Sequence, residues 1–114
     1  MTSLQKSEPY NVQRVTKKRV LESQMAVARR LVWARDGRRC RFCQRTVIRN
    51  PDPFRRGEVH HIVPRSRLAK GEYAKTSNLV LLCHEHHRMA QGYRLFIRGD
   101  ANTVNLTFSE VRLV

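Results

Sequence analysis

Three short stretches decide the fold: Glu58-Val59-His60-His61-Ile62-Val63-Pro64-Arg65-Ser66, Ser77-Asn78-Leu79-Val80-Leu81-Leu82-Cys83 and His86-His87-Arg88. Glu58–Val63 reads as a strand, which Pro64 ends because proline has no N–H for a ladder. Leu79–Leu82 is an apolar run of strand length. Cys83–Ala90 reads as a short helix closed by Gly92. Neighbours in a strand point to opposite faces, so His60 and His61 serve different purposes. Adjacent residues on a helix also diverge, by about 100°, so His86 and His87 face different places. His86 then turns with Cys83 to one site, and His87 turns to a second site shared with the His60–His61 strand.

Outward from these stretches the chain reads as one small domain. Leu21, Met25, Ala28 and Val32 recur at helical spacing and mark the buried face of a helix from Val12 or Thr16 to Arg35, with Gly37 as its stop signal. Arg14, Lys17, Lys18, Arg19, Arg29, Arg30 and Arg35 crowd around it. Met1–Asn11 is polar and reads as a flexible arm, ahead of a single domain over residues 12–114. Asn50-Pro51-Asp52-Pro53 and Gly57 are turn formers, and Arg65–Ser77 is a connecting loop with room for one helical turn. Tyr93–Ile97 and Thr103–Phe108 read as a hairpin around Gly99-Asp100-Ala101-Asn102.

The composition narrows the partner. Of 114 residues, 40% are apolar and 7% aromatic, a lean core that gains from a staple. Lys and Arg total 23 against 9 Asp and Glu, for a formal charge of +14. Arg outnumbers Lys 18 to 5. Arg grips phosphate with a planar fork where Lys offers a point charge. So dense a positive charge destabilises a compact state unless a polyanion screens it, which points to nucleic acid. No apolar run approaches the roughly 18 residues of a membrane span, and Met1–Tyr10 lacks the apolar stretch of a signal peptide, so the expected location is the cytoplasm.

Cys40 and Cys43 form one C-x-x-C, and Cys83 and His86 form a second pair at the same spacing, 39 residues on. Two such hooks close a tetrahedral Cys3His site, and Zn2+ suits a mixed thiolate and imidazole shell. The odd cysteine count argues against a pure disulfide framework. His84 sits badly for the same ion and reads as solvent-facing or as a phosphate contact. His84-Glu85-His86-His87-Arg88 is not the H-E-x-x-H of zinc proteases, because its fifth residue is Arg.

With Glu58–Ser66, Ser77–Cys83 and His86–Arg88 framed by two metal-binding pairs, the chain resembles the HNH endonucleases, with Asn78 nine residues before His87. The resemblance covers roughly residues 37–90, and one departure is His86 where the last ligand is usually Cys. It implies an α+β domain with the ββα-metal (His-Me finger) HNH fold, stapled by zinc, with a basic N-terminal helix and a C-terminal β-hairpin outside the motif. It implies phosphodiester hydrolysis of double-stranded DNA with a catalytic Mg2+ or Mn2+, leaving 5′-phosphate and 3′-hydroxyl ends. His61 would be the general base, His60 and His87 would hold the catalytic cation, and Asn78 would fix the inter-strand loop or reach that cation. Arg65, Arg67 and Arg88 flank the motif as candidate phosphate clamps, and Arg29 and Arg30 on the first helix would supply non-specific grip. A single site nicks one strand, so a double-strand break needs a homodimer, two successive nicks or a larger DNA-processing complex. A zinc-stabilised binding module without catalysis and an RNA-directed nuclease are the competing functions. If the basic surface neutralises about six phosphates, duplex binding measured against salt falls with a log–log slope near −5.

Overall fold

The structure is a computed structural model that describes residues 2–111, with side-chain environments from Thr16 onward apart from Lys70. Helix α1 spans Thr2–Arg35, strand β1 Gly57–His61, strand β2 Leu79–Cys83, helix α2 His84–Gln91, strand β3 Leu95–Gly99 and strand β4 Leu106–Glu110. Short 3-10 turns at Arg65–Arg67, Lys70–Glu72 and Thr76–Asn78 punctuate the loop between β1 and β2, where the sequence suggested one turn at most. The helix begins at Thr2, ahead of the Val12 or Thr16 start read from the sequence. Once a helix is nucleated, each added residue contributes a bond, and Leu4, Gln5, Lys6 and Glu8 are compatible with its extension.

β2 is the centre of the fold. It pairs antiparallel with β1, Gly57 opposite Cys83 and His61 opposite Leu79. It also contacts α1, α2 and the Thr76–Asn78 turn. Leu79, Val80, Leu81 and Leu82 have no solvent exposure. That explains a continuous apolar run instead of an alternating one, since both faces of the strand are covered. Met25, Ala28, Val32 and Trp33 are the buried positions of α1. At Gly57 a Cβ would lie 2.5 Å from Val47 Cγ2 and 2.9 Å from Trp33 Cη2, so the absence of a side chain lets β1 begin flat against α1. The hairpin of β3 and β4 pairs Leu95 with Glu110 through Gly99 with Leu106. Gly99 ends its strand instead of opening the turn, because at φ +114° a Cβ would strike the Asn105 carbonyl.

A buried carboxylate ties these parts together. The Asp36 side chain follows the last turn of α1 and has no exposure. It accepts Arg35 Nε at 2.8 Å, Arg41 Nη1 at 2.7 Å and the Leu81 backbone N–H at 3.0 Å. Arg35 also donates to the Thr76 and Leu79 carbonyls at 2.7 and 2.6 Å, and Arg41 to the Ala101 carbonyl at 2.9 Å. Helix α1, strand β2, the Cys40–Cys43 turn and the β3–β4 connection therefore meet on one side chain. Removing one partner of such a set leaves buried charge uncompensated. Asp36→Ala is expected to lower the unfolding free energy by about 3–5 kcal/mol, read from urea denaturation.

Candidate metal centre and active site

The first cluster is built by a reversal of the chain after α1. The Cys40 N–H donates to the Arg45 carbonyl at 2.9 Å and the Gln44 N–H to the Cys40 carbonyl at 2.8 Å. Gln44 takes φ +64°, which turns the chain so that Cys40 and Cys43 present their sulfurs together. Cys83 closes β2, and His86 follows in the first turn of α2. The four donor atoms all lie within 4.8 Å of one another. Sulfurs at the corners of a tetrahedron with Zn–S bonds of about 2.3 Å stand about 3.8 Å apart. Cys43 Sγ and Cys83 Sγ are 3.9 Å apart, and Cys40 Sγ is 3.8 Å and Cys83 Sγ 3.1 Å from His86 Nδ1.

All three cysteines are free thiols. Burial pushes the Cys83 thiol up to about 12, a hydrogen bond at His86 works against this, and the neighbouring Cys40 and Cys43 sulfurs add to it. Three thiolates cannot share this space without a cation, so the donor set fits a metal ion such as zinc. Phe42 between the two cysteines packs edge-on to His86 at 4.7 Å and against Phe108 of β4 at 5.3 Å. The hairpin thus backs the metal centre.

The second cluster lies where β1 faces α2. His60 and His87 stand 5.3 Å apart between ring centroids, at 72°. His87 Nδ1 is 2.6 Å from Glu58 Oε2. An Nδ1–H donated to that carboxylate leaves Nε2 bare as a ligand. Burial, then the neighbouring His87 and His61, bring His60 down to about 4, so its ring is neutral and ready to ligate at neutral pH. Burial works to raise the Glu58 carboxyl, but the hydrogen bond and charge of His87, then His84 and Arg56, outweigh it and hold the group below its ordinary value. Arg56 Nε lies 3.3 Å from Glu58 Oε1 as an ion contact without a hydrogen bond. Arg56 Nη2 donates to His84 Nδ1 at 3.0 Å. His84, read from the sequence as solvent-facing or a phosphate contact, is half-buried in this network.

His61 occupies the other face of β1. Its Nε2 is 3.0 Å from the Tyr73 carbonyl. The carbonyl can only accept, so Nε2 carries the proton and Nδ1 keeps a free lone pair. Burial lowers the His61 pKa, the Tyr73 contact opposes this, and the nearby Arg65 and Arg29 charges lower it further, for a net value below 6.5. Residues 40–91 match the family described as HNH endonuclease. That segment is similar to the HNH endonuclease family. No curated protein and no solved structure matches the chain.

Within the matched segment, Asn78 spends its amide on the loop. The Val63 N–H donates to Asn78 Oδ1 at 2.8 Å, and Asn78 Nδ2 donates to the Val63 carbonyl at 3.1 Å. Arg65 lies over the Tyr73 ring at 4.7 Å, beside His61. The five candidate arginines do not converge. Arg29 and Arg65 act on His61, and Arg67 is exposed on its 3-10 turn. Arg88 lines a groove on the outer side of α2 with Arg45 and the exposed Phe54. Arg30 lines a different groove with Trp33 and Arg38.

Glu58, Arg56 and the Tyr73 carbonyl were missed from sequence. Glu58 carried one usable signal, a carboxylate two residues before His60 and so on the same strand face. The Cys3His cluster makes a direct prediction for metal content. One equivalent of metal per chain is expected by elemental analysis, and its removal by a strong chelator, or Cys83→Ser, is expected to abolish the cooperative thermal transition.

Proposed function

We propose that this protein is a metal-dependent endonuclease of the ββα-metal class that hydrolyses phosphodiester bonds of duplex DNA, leaving 5′-phosphate and 3′-hydroxyl ends. The observation that carries the reading is His61: its Nε2 proton is committed to the Tyr73 carbonyl, so Nδ1 can only accept. That is the protonation state a general base for an attacking water requires. The lowered pKa keeps His61 neutral at physiological pH.

Across β1, His60 and the Nε2 of His87 supply two neutral imidazole ligands, with Glu58 orienting His87. Bound there, a divalent cation such as Mg2+ or Mn2+ would supply Lewis-acid stabilisation of charge on the phosphoryl and leaving oxygens. Asn78 holds the start of the inter-strand loop on Val63, and with it the loop that delivers the Tyr73 carbonyl. It acts as a positioning residue. Arg65 and Arg29 beside His61 are placed to meet phosphate oxygens. Cys40, Cys43, Cys83 and His86 would hold a structural ion such as Zn2+, which would tie α2, and so His87, to the Cys40–Cys43 turn. The formal charge of +14 supports a polyanionic substrate.

The test is nicking of supercoiled plasmid with Mg2+ or Mn2+, with duplex RNA as a parallel substrate. Relaxation that needs the added cation is expected, and His61→Ala should lower its rate by about 10²–10⁴-fold. A base acts only when deprotonated, and its folded pKa is depressed. The rate is therefore expected to be full near pH 7 and to fall on acidification along a limb centred below 6.5. Plasmid binding without cutting under either metal would make the protein a binding module, and faster cutting of RNA would make it a ribonuclease.

A further inference from the structure

We infer that Arg30, Arg38 and Arg49 form a second phosphate-binding site, taking a non-scissile backbone phosphate of duplex DNA; the inference rests on the nuclease reading above. The three residues line one groove with Trp33, Val47 and Ile48. No acidic side chain lines it. All three arginines are exposed. The ion pairs among the described residues use Arg35, Arg41, Arg45, Arg56, Lys75 and two histidines, and none uses these three. Three like charges around one groove repel one another, and no ion pair among the described residues compensates them. A backbone phosphate offsets part of that charge, and its two free oxygens suit the fork of a guanidinium.

The groove is held in shape. The Arg49 guanidinium lies 5.0 Å above the Trp33 ring, which fixes its plane. The Arg38 N–H donates to the Trp33 carbonyl at 3.1 Å, and the Arg38 carbonyl accepts the Val47 N–H at 2.9 Å. Trp33 and Val47 in turn press on Gly57, where a Cβ would fall 2.9 and 2.5 Å from them. Gly57 opens the strand that carries His60 and His61. The groove and the proposed catalytic strand therefore share a rigid wall. Helix α1 links them a second time: Arg29 is near His61, while the next residue, Arg30, reaches the groove. A duplex lying across this end of α1 would meet the catalytic centre with one phosphate and the groove with another.

The test uses the His61→Ala protein, without added divalent cation, so that binding is read without cleavage. Duplex DNA affinity is measured by fluorescence anisotropy over a salt series. In this background Arg30→Gln/Arg38→Gln, which keeps the Arg49–Trp33 stack, is expected to reduce the log–log salt slope by about one, the loss of one phosphate contact. The double variant Arg94→Gln/Arg98→Gln removes the same charge from strand β3 and its approach, and should leave the slope unchanged to within about 0.3. Thermal melts confirm that each variant is folded. An equal reduction in both variants, or none in the groove variant, overturns the site. A parent protein that binds no duplex overturns both the site and the DNA reading, whereas binding with the expected slope change but no nicking by the unmutated protein retains the site and removes the nuclease. Duplex RNA bound at least as tightly, with the same loss of slope, overturns DNA as the occupant.

Discussion

The Asp36 carboxylate is the point on which the architecture depends. It lies at the end of α1, and its partners come from the helix itself, from the Cys40–Cys43 turn and from the backbone of β2. A buried carboxylate costs desolvation energy that only charged or oriented donors offset. Here two guanidiniums and an N–H do so, and the guanidiniums pass the connection on to the carbonyls of Thr76, Leu79 and Ala101. This fixes the end of α1 against the middle of β2. The register of β2 with β1 then determines which strand positions face α2.

Two periodicities divide the work of the histidines. The pleat of β1 sends His60 towards His87 and His61 towards the Tyr73 carbonyl. The turn of α2 sends His86 to the cysteines and His87 to Glu58. Each pair of adjacent residues thereby serves two separate sites, and the metal centre and the proposed catalytic cluster share a strand end and one helix. A disturbance at Cys83 or His86 is transmitted to His87 through a single turn of α2. The same economy suits a lean core: a metal held by the Cys3His group would do for α2 what apolar burial does for α1.

Much of this was legible in the residues. The Leu79–Leu82 run announced a strand covered on both faces, and the two pairs at i, i+3 spacing announced the Cys3His group. The face of α1 was readable because Met25, Ala28 and Val32 recur at helical spacing, and all three are buried. The extent of α1 was not, since polar residues without an apolar stripe carry no periodic signal. The hairpin strands start two and three residues later than read, at Leu95 and Leu106, because Gly99 reads equally well as a turn opener or a strand end. Asp36 and Glu58 gave no sign of their partners. A carboxylate's role depends on which cations and N–H groups surround it, and those come from residues as distant in sequence as Leu81 and His87.

The sequence by itself determined the order of elements, the metal-ligand set and the separation of His60 from His61 and of His86 from His87, because these follow from local spacing and backbone period. Only the tertiary structure decided that His61 donates to the Tyr73 carbonyl, that Asn78 closes on Val63, that Glu58 meets His87, and that Arg29 acts on His61 while Arg30 lines a groove with Trp33. Those outcomes depend on loop paths and on the angle at which α1 crosses β2. They are set by buried hydrogen bonds and by contacts such as Gly57 on Trp33, which involve residues far apart in the chain and leave no pattern within any one segment.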